Sequence, residues 1–154
     1  MQKRVVEEAS MVVANILKRK GSQVVSVNPD DSIHQVAVTL AQHRIGAALV
    51  SDAHGRMLGI ISERDIVRGM AAQGQGTTQL RARHLMTAQV ITVAPATKVA
   101  EALALMTDRR IRHLPVLLAG QVAGMVSIGD LVKSRIEQAE LEAAELKNYV
   151  AQAG

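Results

Sequence analysis

The sequence predicts an α/β protein built from two copies of one β-α-β-β-α unit. The first observation behind this prediction is an internal repeat, in which Pro29 aligns with Pro95 at an offset of 66 residues. After one residue is lost in a later turn the offset becomes 65, and residues 59–65 align with residues 124–130. A repeat of this length is a supersecondary unit used twice, so both halves should share one architecture.

The second observation is the composition. Hydrophobic residues make up 48% of the 154 residues and aromatic residues only 1%, so the core must consist of Val, Ile, Leu, Ala and Met. Such a core suits β-branched strands packed against Leu/Met helices. The length is enough for one domain or two closely fused halves. The absence of cysteine excludes disulfides and thiolate metal sites.

The third observation is that strand and helix spacing alternate within each copy. A short strand comes first and ends at a proline, which cannot donate to a ladder. Its apolar positions in the two copies are Val25, Val27, Ile91 and Val93. A helix follows over residues 33–41 and again over 99–106, with Asp31 or Ser32 as the predicted N-cap of the first helix and Thr97 as that of the second.

Two apolar strands and a second helix complete each copy. The strands are predicted at residues 47–50 and 58–62, and in the second copy at 114–118 and 122–127. Turn sequences join the members of each pair. The second helix of each copy begins directly after its last strand, at Glu63 or at Ile128.

Further helices are predicted outside the repeats. Val6, Ala9, Val13 and Ile16 have the spacing of an amphipathic N-terminal helix, which Gly21 should end. Near the other terminus, apolar residues four and three positions apart form a seam of heptad type. The seam residues are Val132, Ile136, Ala139, Ala143, Leu146 and Val150. This seam can pack on a partner or back on its own domain, and the sequence leaves both interpretations open.

The expected organisation follows from these elements. It comprises an N-terminal helix at residues 1–21, a first repeat at 22–73, a flexible, glycine-rich linker at 74–84, a second repeat at 85–135, and an extended C-terminal helix at 136–154.

The motif Gly-x-x-Ser-x-x-Asp occurs once in each copy, where an apolar strand turns into a helix. Ser62 with Asp65, and Ser127 with Asp130, have the spacing of a helix capping box, which is the structural interpretation. A capping box prefers the longer Glu or Gln, however, and Asp recurs in both copies. A carboxylate at such a turn can instead accept hydrogen bonds from the vicinal hydroxyls of a ribose, while the serine hydroxyl and helix N–H groups donate to phosphate.

Basic residues distinguish the two copies. Arg112 and His113 enter a buried strand of the second copy, where the first copy has Gly46 and Ala47. Only the first motif contains a basic residue of its own, Arg64. Arginine suits phosphate oxygens, and His113 would add a donor or a response to pH. We therefore expect two unequal sites.

With these motifs in place, the chain resembles tandem CBS domains, named for the regulatory region of cystathionine β-synthase, which pair as a Bateman module. The resemblance covers about residues 20 to 135 and is carried by residues 45–50, 59–65, 112–116 and 124–130. It implies two pseudo-symmetric units packed through their sheets. It also implies an adenosine ligand, such as AMP, ATP, NAD(H) or S-adenosylmethionine, in the clefts between them, and a flat homodimer formed through helices.

The resemblance further implies roles for individual residues. Asp65 and Asp130 would hold riboses, and Ser62 and Ser127 would contact phosphates. The residues that would flank adenine are Val25, Val27, Ile91 and Val93.

We therefore expect a non-catalytic, cytoplasmic regulatory module that requires no cofactor, binds an adenine nucleotide and senses energy or redox state for an unknown regulated protein. The first residues do not resemble a signal peptide, no apolar run spans a bilayer, and the net charge of +4 suits phosphate ligands. The alternatives are an S-adenosylmethionine-binding module, a nucleic-acid-binding module and an enzyme acting on a nucleotide. Against the enzyme, the sequence contains no P-loop, and its histidines do not have the spacing of metal ligands. Against nucleic-acid binding, it lacks the aromatic residues on which bases stack.

Overall fold

The chain folds as two units that do not correspond to a simple division of the sequence into halves. The computed structural model describes residues 11–153. The repeat 1 unit is Gln23–Ile91, and the repeat 2 unit is Thr92–Gly154 together with the N-terminal segment that ends at Ser22. The N-terminal helix α1, Val13–Lys20, therefore belongs with the second repeat.

Helix α1 confirms the predicted end of the N-terminal helix. It stops at Gly21, which has a positive φ of 95° and donates its N–H to the Leu17 carbonyl at 2.8 Å. Val13 and Ile16 are buried, as their spacing predicts. Val6 and Ala9, the other two apolar positions of that prediction, lie outside the described residues.

The repeat 1 unit contains a three-stranded sheet in the order β1-β2-β3. Strand β1, Ser26–Val27, lies parallel to β2, Ala47–Ser51, which is antiparallel to β3, Met57–Ser62. Helix α2, Ile33–His43, connects β1 to β2, and helix α3, Glu63–Gln73, follows β3. This order is the predicted β-α-β-β-α unit.

The core of the repeat 1 unit lies between α2 and the sheet. Its buried residues are Val27, Ile33, Val36, Leu40, Ala48, Val50, Ile61 and Ala82. Of the two predicted caps of α2, Asp31 and Ser32, the structure has Ser32. Its hydroxyl oxygen accepts the N–H of Gln35 at 3.1 Å, and the Gln35 side chain accepts the N–H of Ser32 at 2.8 Å.

The predicted linker has regular structure. Gly74–Gln79 forms a 3-10 helix and Ala82–Leu85 forms α4. Thr77 is fully buried, and its hydroxyl donates to the carbonyl oxygens of Gly69 at 3.1 Å and Gly74 at 2.7 Å. A flexible connector was expected from the glycine-rich composition, but the buried threonine ties this segment to the end of α3.

The repeat 2 unit repeats the arrangement with a smaller sheet. Helix α5, Val99–Arg109, precedes strand β4, His113–Leu118, which pairs antiparallel with β5, Gln121–Ser127. Helix α6, Ile128–Ala153, follows directly. The predicted N-cap of α5 is wrong by one residue: the cap is Lys98, and the Thr97 hydroxyl accepts the N–H of Ala94 in the preceding turn.

The first strand of the second copy is also smaller than predicted. Instead of a strand containing Ile91 and Val93, the structure has one isolated parallel bridge between Val93 and Val116. In the first copy, Leu49 donates its N–H to the Val25 carbonyl at 3.0 Å. Pro115 occupies the position equivalent to Leu49 and has no N–H, so this bond has no counterpart and the ladder is shorter.

Helix α6 buries only its first turns. Its buried residues are Leu131, Ser134 and Gln138, whereas the seam residues Val132, Ile136, Leu146 and Val150 are between 42% and 64% exposed. The interpretation that these apolar residues of α6 pack back on their own domain is therefore wrong. In the described part of the chain, no helix is long and apolar enough to cross a membrane.

Candidate functional site

Both Gly-x-x-Ser-x-x-Asp motifs lie at the junction of a strand and a helix, as predicted. Ser62 ends β3 immediately before α3, and Ser127 ends β5 immediately before α6. Each aspartate is the third residue of its helix, so its carboxylate lies in the first turn, where helix N–H groups have no intrahelical partner. The positive end of the helix dipole favours a carboxylate at this place.

Each carboxylate is fixed by a reciprocal cap. Oδ2 of Asp65 accepts the N–H of Ser62 at 2.8 Å and its hydroxyl at 3.0 Å, and Asp65 donates its own N–H to the Ser62 hydroxyl at 3.3 Å. Oδ2 of Asp130 accepts the N–H of Ser127 at 2.9 Å, and Asp130 donates its N–H to the Ser127 hydroxyl at 3.2 Å. The shorter aspartate thus does reach its cap, and the capping-box geometry is formed in both copies.

A lysine that sequence reasoning missed contacts the second motif. The Nζ of Lys20, the last residue of α1, donates to Oδ2 of Asp130 at 2.7 Å and to the Met125 carbonyl oxygen at 3.0 Å. The two charged side chains retain 41% and 25% of their exposed surface, so this ion pair is partly shielded from water. The sequence contained a signal for this difference, because the six residues between Leu17 and Val24 include three cations, whereas the three residues between Met86 and Val90 are uncharged.

The ion pair changes the protonation equilibrium of Asp130. Burial by itself would raise the pKa of this carboxyl, but the Lys20 ammonium and the hydrogen bonds from Ser127 outweigh burial and lower the pKa below its ordinary value. Asp130 is therefore fully ionised at neutral pH.

The glycine that opens each motif admits protein atoms at close range. A Cβ at Gly59 would lie 2.6 Å from the Thr87 carbonyl oxygen and 2.9 Å from the Met86 sulfur. A Cβ at Gly124 would lie 2.7 Å from a methyl group of Leu17, on α1. The missing side chain of each glycine therefore makes room for a close approach of protein atoms.

The predicted residues at the start of β2 and β4 lie beside the motifs. Ala47 is the register partner of Ser62, and His113 is the register partner of Ser127. The carbonyl oxygen of Gly46 accepts the N–H of Glu63 at 2.9 Å. In the same way, the carbonyl oxygen of Arg112 accepts the N–H of Ile128 at 2.8 Å, so equivalent backbone bonds bring both pairs to their helix N-termini.

The remaining candidates occupy different environments. Val27 and Val93 are buried at 5% and 7% exposure, and Val25 and Ile91 are half-buried. Arg64 is half-buried on the first turn of α3, and Arg112 is exposed. Val27 pairs with Val50, three residues along β2 from Ala47, so the strand that would flank adenine lies toward the other end of β2 from Ser62.

A groove lies beside each motif. One of about 530 Å³ separates α2 from α3, and its lining includes Arg44, Gly46 and Glu63. A smaller groove of about 250 Å³ lies between α1 and α6 and contains the Lys20–Asp130 pair. Its lining residues are Ile16, Arg19, Lys20, Asp130, Lys133, Ser134 and Glu137. Among the described residues, no cluster of histidine and acidic side chains could hold a metal ion.

Two copies of one β-α-β-β-α unit, each holding a capped carboxylate at its last strand-to-helix turn, define a duplicated α/β module. The CBS domain family model matches residues 13–72 and 82–137, and the chain therefore belongs to the CBS-domain family. The resemblance and the α/β fold predicted from the repeats are thus confirmed. The first match begins at the first residue of α1.

Known relatives agree with this assignment. The chain is 34% identical over 149 residues to the mitochondrial CBS domain-containing protein CBSX3 of Arabidopsis thaliana, spanning 92% of this chain and 72% of the relative. A CBS-domain containing protein from Agrobacterium tumefaciens superposes with a TM-score of 0.80 at 43% identity, covering 82% of this chain and 94% of that chain.

A further structural neighbour was solved with ligands. The CBS domain pair of protein MJ0100, in complex with 5′-methylthioadenosine and S-adenosyl-L-methionine, superposes with a TM-score of 0.71 at 27% identity. The superposition covers 84% of this chain and 98% of that chain.

Proposed function

We propose that this protein is a non-catalytic regulatory module that binds adenine nucleotides through the carboxylates of Asp65 and Asp130. The observation that carries the proposal is that each carboxylate is preorganised by its cap at a strand-to-helix turn. The capping bonds use Oδ2 of each aspartate, so Oδ1 is the oxygen that a ribose hydroxyl would meet. A fixed acceptor loses little conformational entropy on binding, which favours a ligand with two vicinal hydroxyls.

The ligand class is supported by a relative and by the local charge. The ligands of the MJ0100 pair both contain adenosine, and therefore a ribose with its vicinal hydroxyls. In this chain Arg112 and His113 lie next to Ser127 through the pairing of β4 with β5, and Arg64 lies within the first motif. Cationic side chains at both motifs favour a phosphate-bearing adenosine, such as AMP, ADP, ATP or NAD(H). S-adenosylmethionine is the second candidate, because a related pair was solved with it.

The two serines should contribute differently to phosphate binding. Ser62 donates its hydroxyl hydrogen to Asp65, so it must rotate before it can donate to a phosphate. Basic groups beside Ser127 would supplement that serine in the second copy. This difference supports two unequal sites. The flanking of adenine by Val25, Val27, Ile91 and Val93 stays a prediction.

Regulation would proceed through contacts with other chains. Exposed apolar residues on the helices that follow β3 and β5, Val67 at 64%, Met70 at 55% and Ile136 at 54%, favour a homodimer formed through helix faces. We propose a cytoplasmic homodimer whose contacts with a regulated protein respond to the bound nucleotide. Analytical ultracentrifugation with and without AMP tests whether the protein is a homodimer.

The binding proposal is tested by isothermal titration of AMP into the parent protein and into Asp65→Ala and Asp130→Ala. Asp108→Ala is the matched control, because Asp108 is an exposed aspartate near the end of α5. Each motif variant should lose one of two sites, and the control should bind as the parent does. If both motif variants bind as the parent does, the aspartates act only as helix caps.

The alternatives give different results. An enzyme would convert ATP or NAD during incubation, whereas the proposed module returns the nucleotide unchanged when the mixture is separated by chromatography. A nucleic-acid-binding protein would shift a labelled oligonucleotide at low salt and lose it steeply as salt rises.

A further inference from the structure

Lys20 is placed by packing, because helix α1 is tied to the repeat 2 unit along its length. The N–H groups of Val13 and Ala14 donate to the carbonyl oxygens of Thr97 at 2.8 Å and Pro95 at 2.9 Å. Farther along α1, the Arg19 side chain forms an ion pair with Glu137 on α6. These contacts hold the last turn of α1 beside the second motif, where the Lys20 ammonium meets Asp130.

Of the residues that the structure describes, none brings an ammonium to the motif of the first copy. Equivalent backbone bonds, Val13 N–H to Thr97 and Ala82 N–H to Asp31, align Leu17 with Met86, and each of these side chains lies over the glycine of its motif. The three residues between Met86 and Val90 are uncharged, so the first copy has no counterpart of the Lys20 charge. Within residues 11–153, Asp65 accepts the bonds of its own cap and no ammonium, whereas Asp130 accepts its cap and an ammonium at 2.7 Å. The two carboxylates proposed to hold riboses differ in their electrostatic environment, and the difference comes from one residue outside both β-α-β-β-α units.

This difference has a chemical consequence for ligands. An ammonium bound to a carboxylate reduces its strength as an acceptor for the neutral hydroxyls of a ribose. An uncharged nucleoside must therefore displace Lys20 or bind to a weakened acceptor. A phosphate offers the ammonium a new, charge-assisted partner while the ribose takes the carboxylate.

The charges of the surrounding groove favour an anion. It is lined by the cations Arg19, Lys20 and Lys133 and by the anions Asp130 and Glu137. One positive charge remains when these described lining residues are counted together, and the two lysines come from different helices. A phosphate would balance this excess, whereas an uncharged nucleoside would not.

We propose that Lys20 determines the specificity of the repeat 2 site, exchanging its contact with Asp130 for the phosphate of a bound nucleotide. The repeat 2 site then selects phosphate-bearing adenosine compounds over uncharged nucleosides. The repeat 1 site lacks this selection by an N-terminal lysine. This inference rests on the proposed binding of a ribose by Asp130.

The test compares AMP with adenosine by isothermal titration in an Asp65→Ala background, which isolates the repeat 2 site. The variants are Lys20→Met, which removes the charge but keeps an unbranched side chain, and Lys20→Arg, which keeps the charge. Lys18→Met is the matched control, because Lys18 is an exposed lysine on the same helix. Thermal unfolding followed by circular dichroism verifies that each variant is folded.

In the background protein, AMP should bind more tightly than adenosine. Lys20→Met should reduce the AMP-to-adenosine affinity ratio by roughly tenfold, the effect of losing one hydrogen bond to a charged group. Adenosine affinity itself should stay the same or rise, because its competitor is gone. Lys20→Arg and Lys18→Met should keep the preference for AMP.

Several results would overturn the proposal, and they are distinguishable. An unchanged ratio in Lys20→Met, or an equal loss for AMP and adenosine, would make Lys20 a purely structural residue while leaving nucleotide binding intact. A ratio that falls as far in Lys20→Arg as in Lys20→Met would also contradict a role for the charge. Failure of the background protein to bind either compound would overturn the proposed function at Asp130, and this inference with it.

Discussion

Replacement of Gly59 by alanine tests how tightly the first motif is packed. The new Cβ would lie 2.6 Å from the Thr87 carbonyl oxygen, a distance that requires one of the two segments to move. That oxygen accepts the N–H of Ile60 at 3.0 Å, and the Thr87 N–H donates to the Ile60 carbonyl at 2.8 Å. The obstacle is therefore backbone held by two hydrogen bonds, which a change of rotamer cannot relieve.

The magnitude follows from these bonds. Each contributes about 0.5–1.5 kcal/mol net, so loss of both predicts a cost of about 1–3 kcal/mol, the range typical of overpacked sites. Gly124→Ala is the matched comparison, because its Cβ would meet methyl groups of Leu17 at 2.7 and 3.1 Å. A leucine side chain can shift, so the loss there should be at or below the lower end of this range, about 1 kcal/mol.

The assay is urea-induced unfolding followed by circular dichroism, since the chain contains no tryptophan. The Gly59→Ala protein should unfold at a clearly lower urea concentration than the Gly124→Ala protein. Equal midpoints, or a larger loss in Gly124→Ala, would refute the argument that backbone contacts resist displacement more than side-chain contacts do.

Other predictions use the same assay or thermal unfolding. Asp130→Asn should cost up to about 1 kcal/mol at pH 7, because the ion pair with Lys20 is partly exposed. Because the pKa of Asp130 is lowered in the folded state, its contribution to stability is complete above the pKa of the unfolded chain and is lost as pH falls through the folded-state pKa. A difference in stability between the parent and Asp130→Asn that persists in stronger acid would contradict this cause. Thr77→Val should cost about 1–2 kcal/mol, because the carbonyl of buried Gly69 and that of Gly74 lose their shared donor, and an unchanged midpoint would exclude that role. Deletion of residues 141–154 should change stability by less than about 0.5 kcal/mol, because the described part of that segment is exposed. A larger shift in the melting temperature would contradict this and would indicate that the segment packs against another molecule.

The internal repeat made much of the fold predictable from sequence. Alternating and helical spacings located β2, β3 and α2, and the equivalent elements of the second copy, because each buries one apolar face that leaves a periodic trace. The motif positions followed from the same alignment. Local chemistry explains the main departures, since Pro115 removes a ladder donor in the second copy and buried Thr77 orders a glycine-rich segment.

The features that sequence reasoning missed depend on long-range packing. Lys20 and Asp130 are 110 residues apart, and no local pattern indicates that α1 docks beside the second repeat. The three cations at residues 18–20, which have no charged equivalent after Met86, become informative only when the location of α1 is known. Likewise, only the backbone geometry at Ser62 and Ser127 shows that an aspartate is long enough to complete each cap.

The proposal that Asp65 and Asp130 hold a ribose is tested most directly by removing the hydroxyl groups from the ligand. Isothermal titration would compare AMP with 2′,3′-dideoxy-AMP on the parent protein and on the Asp65→Ala/Asp130→Ala double variant. The parent should bind the dideoxy compound at least about tenfold more weakly, because charge-assisted hydrogen bonds are lost, and the double variant, which lacks both proposed sites, should bind neither compound. Equal binding of both compounds by the parent would contradict the proposed role of the two carboxylates.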